Sequence, residues 1–299
     1  MSVRCHWRCL GSLVVCLAAA GCRLVGSEGP VPGSLVACRQ LSQQGMSALE
    51  RRDWAQAETL FSQAVDACPV DSEARRQYAE ALWHRGNVGE AVAQLDEARR
   101  LTGDEPKLLV RAAEMHSAMG QVEESHALVE RAIDLDPKNP AAFAIRGRVR
   151  RQSGQLREAL ADYHRALRYA PDDRDVLLEV AEVYHDLGQP QRALTSLQNL
   201  ADTYPPGEEP QKVLYLMGLA YGASGRYGDA AEVLAGARDR GPPSAEVLCR
   251  LADAEFRSGQ RATARRTAQQ VLSLEPNHRA AQALLERIDV AQDTAGLAR

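Results

Sequence analysis

Leu177, Leu178, Ala181 and Tyr184 recur at spacings of three and four residues, which gathers them into one apolar stripe of a helix with polar side chains opposite. Gly188 ends that helix, and the stretch QRALTSLQNLADTYP predicts a second one. Its alanine lets two backbones approach closely at a crossing point, and its proline stops the helix from continuing. The same pattern returns every 34 residues. Ala57, Ala91, Ser125, Ala159 and Ala193 occupy one repeat position, Pro69, Gly103, Pro137, Pro171 and Pro205 another, and Gly86, Gly120, Gly154 and Gly188 a third. After a three-residue insertion around PPGEEP the register resumes with Gly225, Ala230 and Pro242, then Gly259, Ala264 and Pro276. Seven helix-turn-helix copies are therefore predicted, over residues 38–71, 72–105, 106–139, 140–173, 174–210, 211–244 and 245–278. A single helix pair cannot bury both of its faces, so neighbouring copies must stack. The stretch HRAAQALLERIDVAQ carries the stripe of one more helix, expected at 279–292 as a cap over the last exposed face, with 293–299 left as a disordered tail.

The pattern resembles the tetratricopeptide repeat, most clearly in Leu214, Met217, Gly218, Tyr221, Ala230, Leu234 and Pro242, and in Phe143, Gly147, Gly154, Ala159, Tyr163, Ala166 and Pro171. The resemblance covers residues 38–278 and departs from the family at Gln44 and Arg146, where an aliphatic residue is usual, and at Gly103 in place of proline. It implies an all-α solenoid, wound as a right-handed superhelix, whose first helices line a concave groove. In such a groove the second, fifth, ninth and twelfth positions of each first helix face the ligand. Carried over, these are Arg76, Trp83, Val110, Glu114, Arg148, Leu178, Glu182, Tyr215 and Leu219, a mostly apolar floor flanked by charge that suits an amphipathic or extended segment of another protein. Trp83 has two readings, an exposed anchor or a wedge between repeats. The clamp by which some family members hold acidic chaperone tails needs lysine and asparagine at fifth and ninth positions. Ser42 with Met46, and Arg76 with Glu80, do not supply them.

Composition narrows the reading further. In 299 residues, 45% hydrophobic and only 5% aromatic, 36 basic and 40 acidic side chains nearly cancel to a net charge of -4, so no field builds up to hold a phosphate backbone and nucleic acid is not expected as a partner. Phosphate-cradling loops, nucleophile elbows and paired zinc-histidine helices are missing from the sequence. GASGRYGD falls at an interhelix turn, and DLDPKNP lacks the glycine and distal glutamate of a calcium loop. The seven histidines are scattered; neither a metal nor a cofactor is expected.

The opening segment sets the compartment. Arg4 and Arg8 precede an apolar run from Leu10 to Ala20 that is short for a membrane span, the order of a secretory signal over residues 1–21. Ala19, Ala20, Gly21 and Cys22 resemble the lipobox of bacterial lipoproteins, with alanine where leucine is usual. The resemblance implies cleavage before Cys22 and acylation of that cysteine, and Arg23 after it leans towards the outer membrane. The alternative is an ordinary cleaved signal with Cys22 incidental. Glycines and prolines in 22–37 read as a flexible tether. Cys38 and Cys68 bracket the first repeat, and in an oxidising compartment a disulfide between them would staple it; the alternative is two free thiols. These readings point to a membrane-tethered adaptor that is not an enzyme, against two alternatives: an envelope hydrolase or glycan-processing subunit, and a structural spacer.

Overall fold

The computed structural model describes residues 33–297, apart from residue 243 and the side chains after Val290. The signal segment 1–21, the acylation residue Cys22 and the first part of the tether lie outside the described residues. Among the described residues there are fifteen helices and no strand: α1 Gly33–Glu50, α2 Trp54–Ala67, α3 Ser72–His84, α4 Val88–Thr102, α5 Pro106–Ala118, α6 Val122–Leu135, α7 Pro140–Gln152, α8 Leu156–Tyr169, α9 Arg174–Asp186, α10 Pro190–Ala201, α11 Gln211–Ala223, α12 Tyr227–Asp239, α13 Ala245–Arg257, α14 Arg261–Leu274 and α15 Arg279–Leu297. No described helix is long and apolar enough to cross a membrane.

From α1 to α14, odd-numbered helices are the first and even-numbered ones the second members of seven pairs, each pair packing on the next. The starts are set locally. Asp53, Asp71, Asn139 and Asp173 cap α2, α3, α7 and α9 by accepting backbone N–H bonds, and Pro106, Pro140 and Pro190 occupy first helical positions where no donor is needed. In six of the seven pairs the turn between the members carries a left-handed glycine, φ 75° at Gly154 and 66° at Gly188, a conformation that side chains resist; in the first pair Arg52 takes it at φ 58°.

Within each pair a small residue of the first helix faces a residue sixteen positions on. Gly45 meets Phe61, Gly147 meets Tyr163 and Gly218 meets Leu234, and a methyl added at Gly147 would stand 2.5 Å from the Tyr163 ring. Ala79 with Leu95, Ala113 with Val129 and Ala181 with Leu197 repeat the arrangement with full burial. The core is thus a string of clusters along the stack, each buried large side chain contributing about 1.5–3 kcal/mol.

Arg146 fills its usually aliphatic position by pairing with the fully buried Asp162 of α8, at 2.9 and 2.7 Å, and with Glu130 of α6 at 3.0 Å. Ser125, the one non-alanine at the crossing position, donates its hydroxyl to the Ala113 carbonyl at 2.6 Å.

Three expectations are corrected. Helix α1 begins at Gly33 rather than Cys38, because the helix-breaking residues of the tether end there. Helix α15 runs on to Leu297 instead of stopping at 292, since no proline interrupts 279–297. The Cys38–Cys68 bond is not formed: both thiols are free, and buried Cys38 donates its S–H to Asp71 Oδ2 at 3.3 Å, the carboxylate that also caps α3.

Candidate functional site

First helices of successive pairs touch one another, α5 on α7, α9 on α11, α11 on α13, whereas no two second helices of the described residues pack together to that extent. The stack is therefore tighter on the side of the first helices, and that side is the concave one. Helix α15 packs on both α13 and α14 and continues the row, so it serves as an eighth first helix as well as a cap; Arg287 falls one repeat after Asp253.

The charges of this face are largely paired with each other. Arg111 on α5 grips Glu80 on α3 through two bonds of 2.7 and 2.6 Å and also holds Glu114 on its own helix. Arg148 on α7 reaches back to Glu114 at 3.6 Å and forward to Glu179 on α9. Arg151 pairs with Glu182, and with Asp186 at 3.0 Å, while Lys212 on α11 meets Glu182 at 2.6 Å. Tyr215 donates its hydroxyl to Glu246 on α13 at 2.6 Å. Four of these contacts span 31 residues, one repeat less one short turn, because neighbouring first helices are staggered by three residues. Burial pushes the Glu182 carboxyl up, but hydrogen bonds from Lys212 and Arg151 outweigh it and hold it below the usual carboxylate range. Burial and Glu246 push the Tyr215 hydroxyl up to about 12, so it stays a donor.

Between the rungs lie hollows. Trp83, Arg111, Glu114 and Arg148 line one of about 240 Å³. Arg148, Tyr163, Leu178, Glu179 and Glu182 line a second of about 560 Å³, within the range of ligand sites. Two side-chain oxygens of this second hollow's lining, Tyr163 Oη and Glu179 Oε2, are buried without a hydrogen-bond partner. A third, of about 290 Å³, is floored by Leu219, and a fourth, of about 310 Å³, lies between α13 and α15.

The sequence-derived set thus divides. Trp83, Glu114, Arg148, Leu178, Glu182 and Leu219 line hollows. Trp83 combines its two readings, half-buried against the first core cluster and stacked under Arg111, whose guanidinium lies 5.6 Å from the ring centre. Val110 packs into the core around Leu109 and Ile145 and lines none of these hollows. Arg76 is engaged by Glu73 one turn earlier, and Tyr215 packs on the core around Met217. Missed were the sixth positions Arg111, Glu179 and Arg250, together with Arg151, Arg257 and Arg287. Complementary charge at a 31-residue spacing is the signal that finds the paired ones.

Family models described as tetratricopeptide repeat match residues 42–106 and 99–277. DnaJ homolog subfamily C member 3 of Gallus gallus is 24% identical over 131 residues, 44% of this chain and 26% of that protein, so this chain spans about a quarter of the relative's length. The crystal structure of PilW matches with a TM-score of 0.64 at 20% identity, over 70% of this chain and 96% of that one. The crystal structure of YrrB matches with a TM-score of 0.55 at 19% identity, over 63% and 96% respectively. At such identities the likeness establishes the shared fold.

Proposed function

This chain belongs to the tetratricopeptide repeat family, and from that premise we propose that it is a lipid-anchored adaptor of the bacterial envelope that gathers proteins by binding their segments in its groove. The observation that carries the reading is the row of open hollows along the first helices, floored by half-buried Leu178 and Leu219 and rimmed by charges already engaged with each other. Such a surface offers apolar contact to an extended or helical segment without stripping strongly hydrated charges bare. YrrB is described as carrying an unusual peptide-binding site, which supports the mode, and PilW as a type IV pilus biogenesis factor, which supports the setting. The anchor rests on Ala19, Ala20, Gly21 and Cys22, and several acyl chains at about 0.8 kcal/mol per buried methylene hold a protein at a membrane stably. The setting is the periplasmic face of the outer membrane, with Arg23 as its support.

Two experiments test the two halves. Labelled palmitate is expected to enter the wild-type chain and not Cys22→Ala, which should fail to partition into detergent; a wild-type chain that never takes the label refutes the anchor. Leu178→Glu with Leu219→Glu is expected to abolish capture of native partners while leaving helical circular dichroism intact. Capture unchanged by that pair moves the binding surface off the groove.

A further inference from the structure

We propose that the C-terminal third of the groove is a receptor for acidic protein segments, held by Arg250, Arg257 and Arg287. This rests on the groove being a protein-binding surface and adds the chemistry of what it binds. Arg250, Asp253, Ala254 and Arg257 fall on one face of α13, three, four and seven residues apart. That row is the ridge between two adjoining hollows, one of about 290 Å³ towards α11 and one of about 310 Å³ towards α15, and both hollows include Arg250, Asp253 and Arg257 in their walls. Leu219, Gly222, Ala223 and Ala254 floor the first; Ala280, Ala283 and Leu284 floor the second.

Charge balance separates this region from the rest of the groove. Arg111, Arg148 and Arg151 each hold two carboxylates. Past α11, two arginines share the carboxylate of Asp253, Arg257 at 2.8 Å and Arg287 at 3.8 Å, while Arg250 makes no direct ion pair among the described residues and sits at the Tyr215 hydroxyl that Glu246 also holds. The guanidiniums of Arg257 and Arg287 are also held in place before any ligand arrives. Arg257 lies 5.2 Å over the Tyr227 ring and donates to its hydroxyl at 3.1 Å, and Arg287 lies 4.8 Å over Phe256. Their side chains remain 45% and 54% exposed, so the charged heads reach the hollows.

Three guanidiniums, two of them oriented on aromatic rings, face the two carboxylates of Asp253 and Glu246 and leave positive charge unneutralised above an apolar floor. A guanidinium fork matches a carboxylate through two parallel bonds, and the small floor residues admit a main chain close to the helices. The occupant this fits is an extended segment with aspartate or glutamate on either side of an apolar residue seated on Leu219. A basic segment is repelled, and a neutral one forgoes the paired bonds.

The probe is a fluorescein-labelled heptapeptide of six glutamates around a central leucine, followed by anisotropy on the full chain, beside versions with glutamine or lysine in place of glutamate. The glutamate peptide should bind saturably, the glutamine version more weakly by about tenfold or more, and the difference should shrink as salt rises. Arg250→Glu with Arg287→Glu should abolish that binding at unchanged circular dichroism, and Arg250→Lys with Arg287→Lys should keep part of it. Absence of saturable binding, equal binding of the glutamine or lysine peptide, equal binding of a single-stranded oligonucleotide, or indifference to the charge reversal each overturns the proposal. Native-partner capture lost in Leu178→Glu/Leu219→Glu but kept in Arg250→Glu/Arg287→Glu would refute this inference and leave the groove reading standing.

Discussion

Asp162→Ala should be the most damaging single truncation of a polar residue in the fourth repeat. Asp162 is fully buried, accepts two bonds from Arg146 at 2.9 and 2.7 Å and one from Arg150 at 2.6 Å, and Arg146 is itself only 7% exposed. Removing one partner of such a pair costs about 3–5 kcal/mol, because the other charge stays buried without compensation. The lower end applies here, since Glu130, 39% exposed, still holds Arg146 at 3.0 Å and Arg150 can turn to water. About 3 kcal/mol corresponds to a Tm lowered by roughly 6–12 °C for a body of this size. Thermal and urea melts followed by circular dichroism measure it, and in a stack of repeats the loss concentrates in those flanking the lesion. The companion variant Arg146→Leu with Asp162→Leu removes both charges and should return to within about 1 kcal/mol of the wild type, since apolar replacement of a buried pair is often neutral. An Asp162→Ala protein as stable as the wild type, or a double variant as damaged as the single one, would refute the reasoning.

Glu255 offers a pH test. Burial pushes its carboxyl above the usual range against the pull of Thr267, Arg238 and Arg266, and one of its oxygens has no partner. A folded-state value raised above the unfolded one gives stability present below the unfolded value and lost as pH rises through the folded one, so Glu255→Gln should raise Tm at neutral pH and lose that advantage in acid; an advantage that persists in acid contradicts the assignment. Burial and Asp71 push the Cys38 thiol up to about 11, which leaves about one thiolate in a thousand at pH 8. Cys38 should therefore resist iodoacetamide in the native protein yet carry the label after denaturation without reductant; a Cys38–Cys68 peptide in the non-reduced digest would overturn the free-thiol arrangement. Gly147→Val, forced against the Tyr163 ring, should cost about 1–3 kcal/mol by overpacking, whereas Gly89→Ala, with open space around it, should be neutral or stabilising in chemical melts.

The solenoid was legible because its period is written in small residues. The crossing residues Ala57, Ala91, Ser125, Ala159, Ala193, Ala230 and Ala264 are all buried to within 1%, and the turn glycines between paired helices all take positive φ. Sequence spacing reads such positions directly, since they recur within one helix pair. The groove was legible only in part. Which charge of one first helix meets which of the next depends on the three-residue stagger between repeats, a tertiary quantity, so Glu114 and Glu182 looked available while they are engaged. Arg146 looked like a defect because its partner Asp162 lies on another helix. Helix α15 read as a cap alone, since its contribution to the groove through Ala283 and Arg287 appears only once it sits beside α13. The thiols of Cys38 and Cys68 were placed at one end of a hairpin correctly enough to interact, but the nearby cap residue Asp71 takes the Cys38 proton donor instead.

Photocrosslinking from single positions in the native host cell tests the central claim most directly. Benzoylphenylalanine placed at Leu178 or Leu219, on the floor of the groove, is compared with the same group at exposed Ala127 of α6 and Gln198 of α10 on the second helices. The account predicts discrete crosslinked partners from the two groove positions and none from the two outer ones. Partners captured from the outer positions alone, or from no position at all, would contradict it.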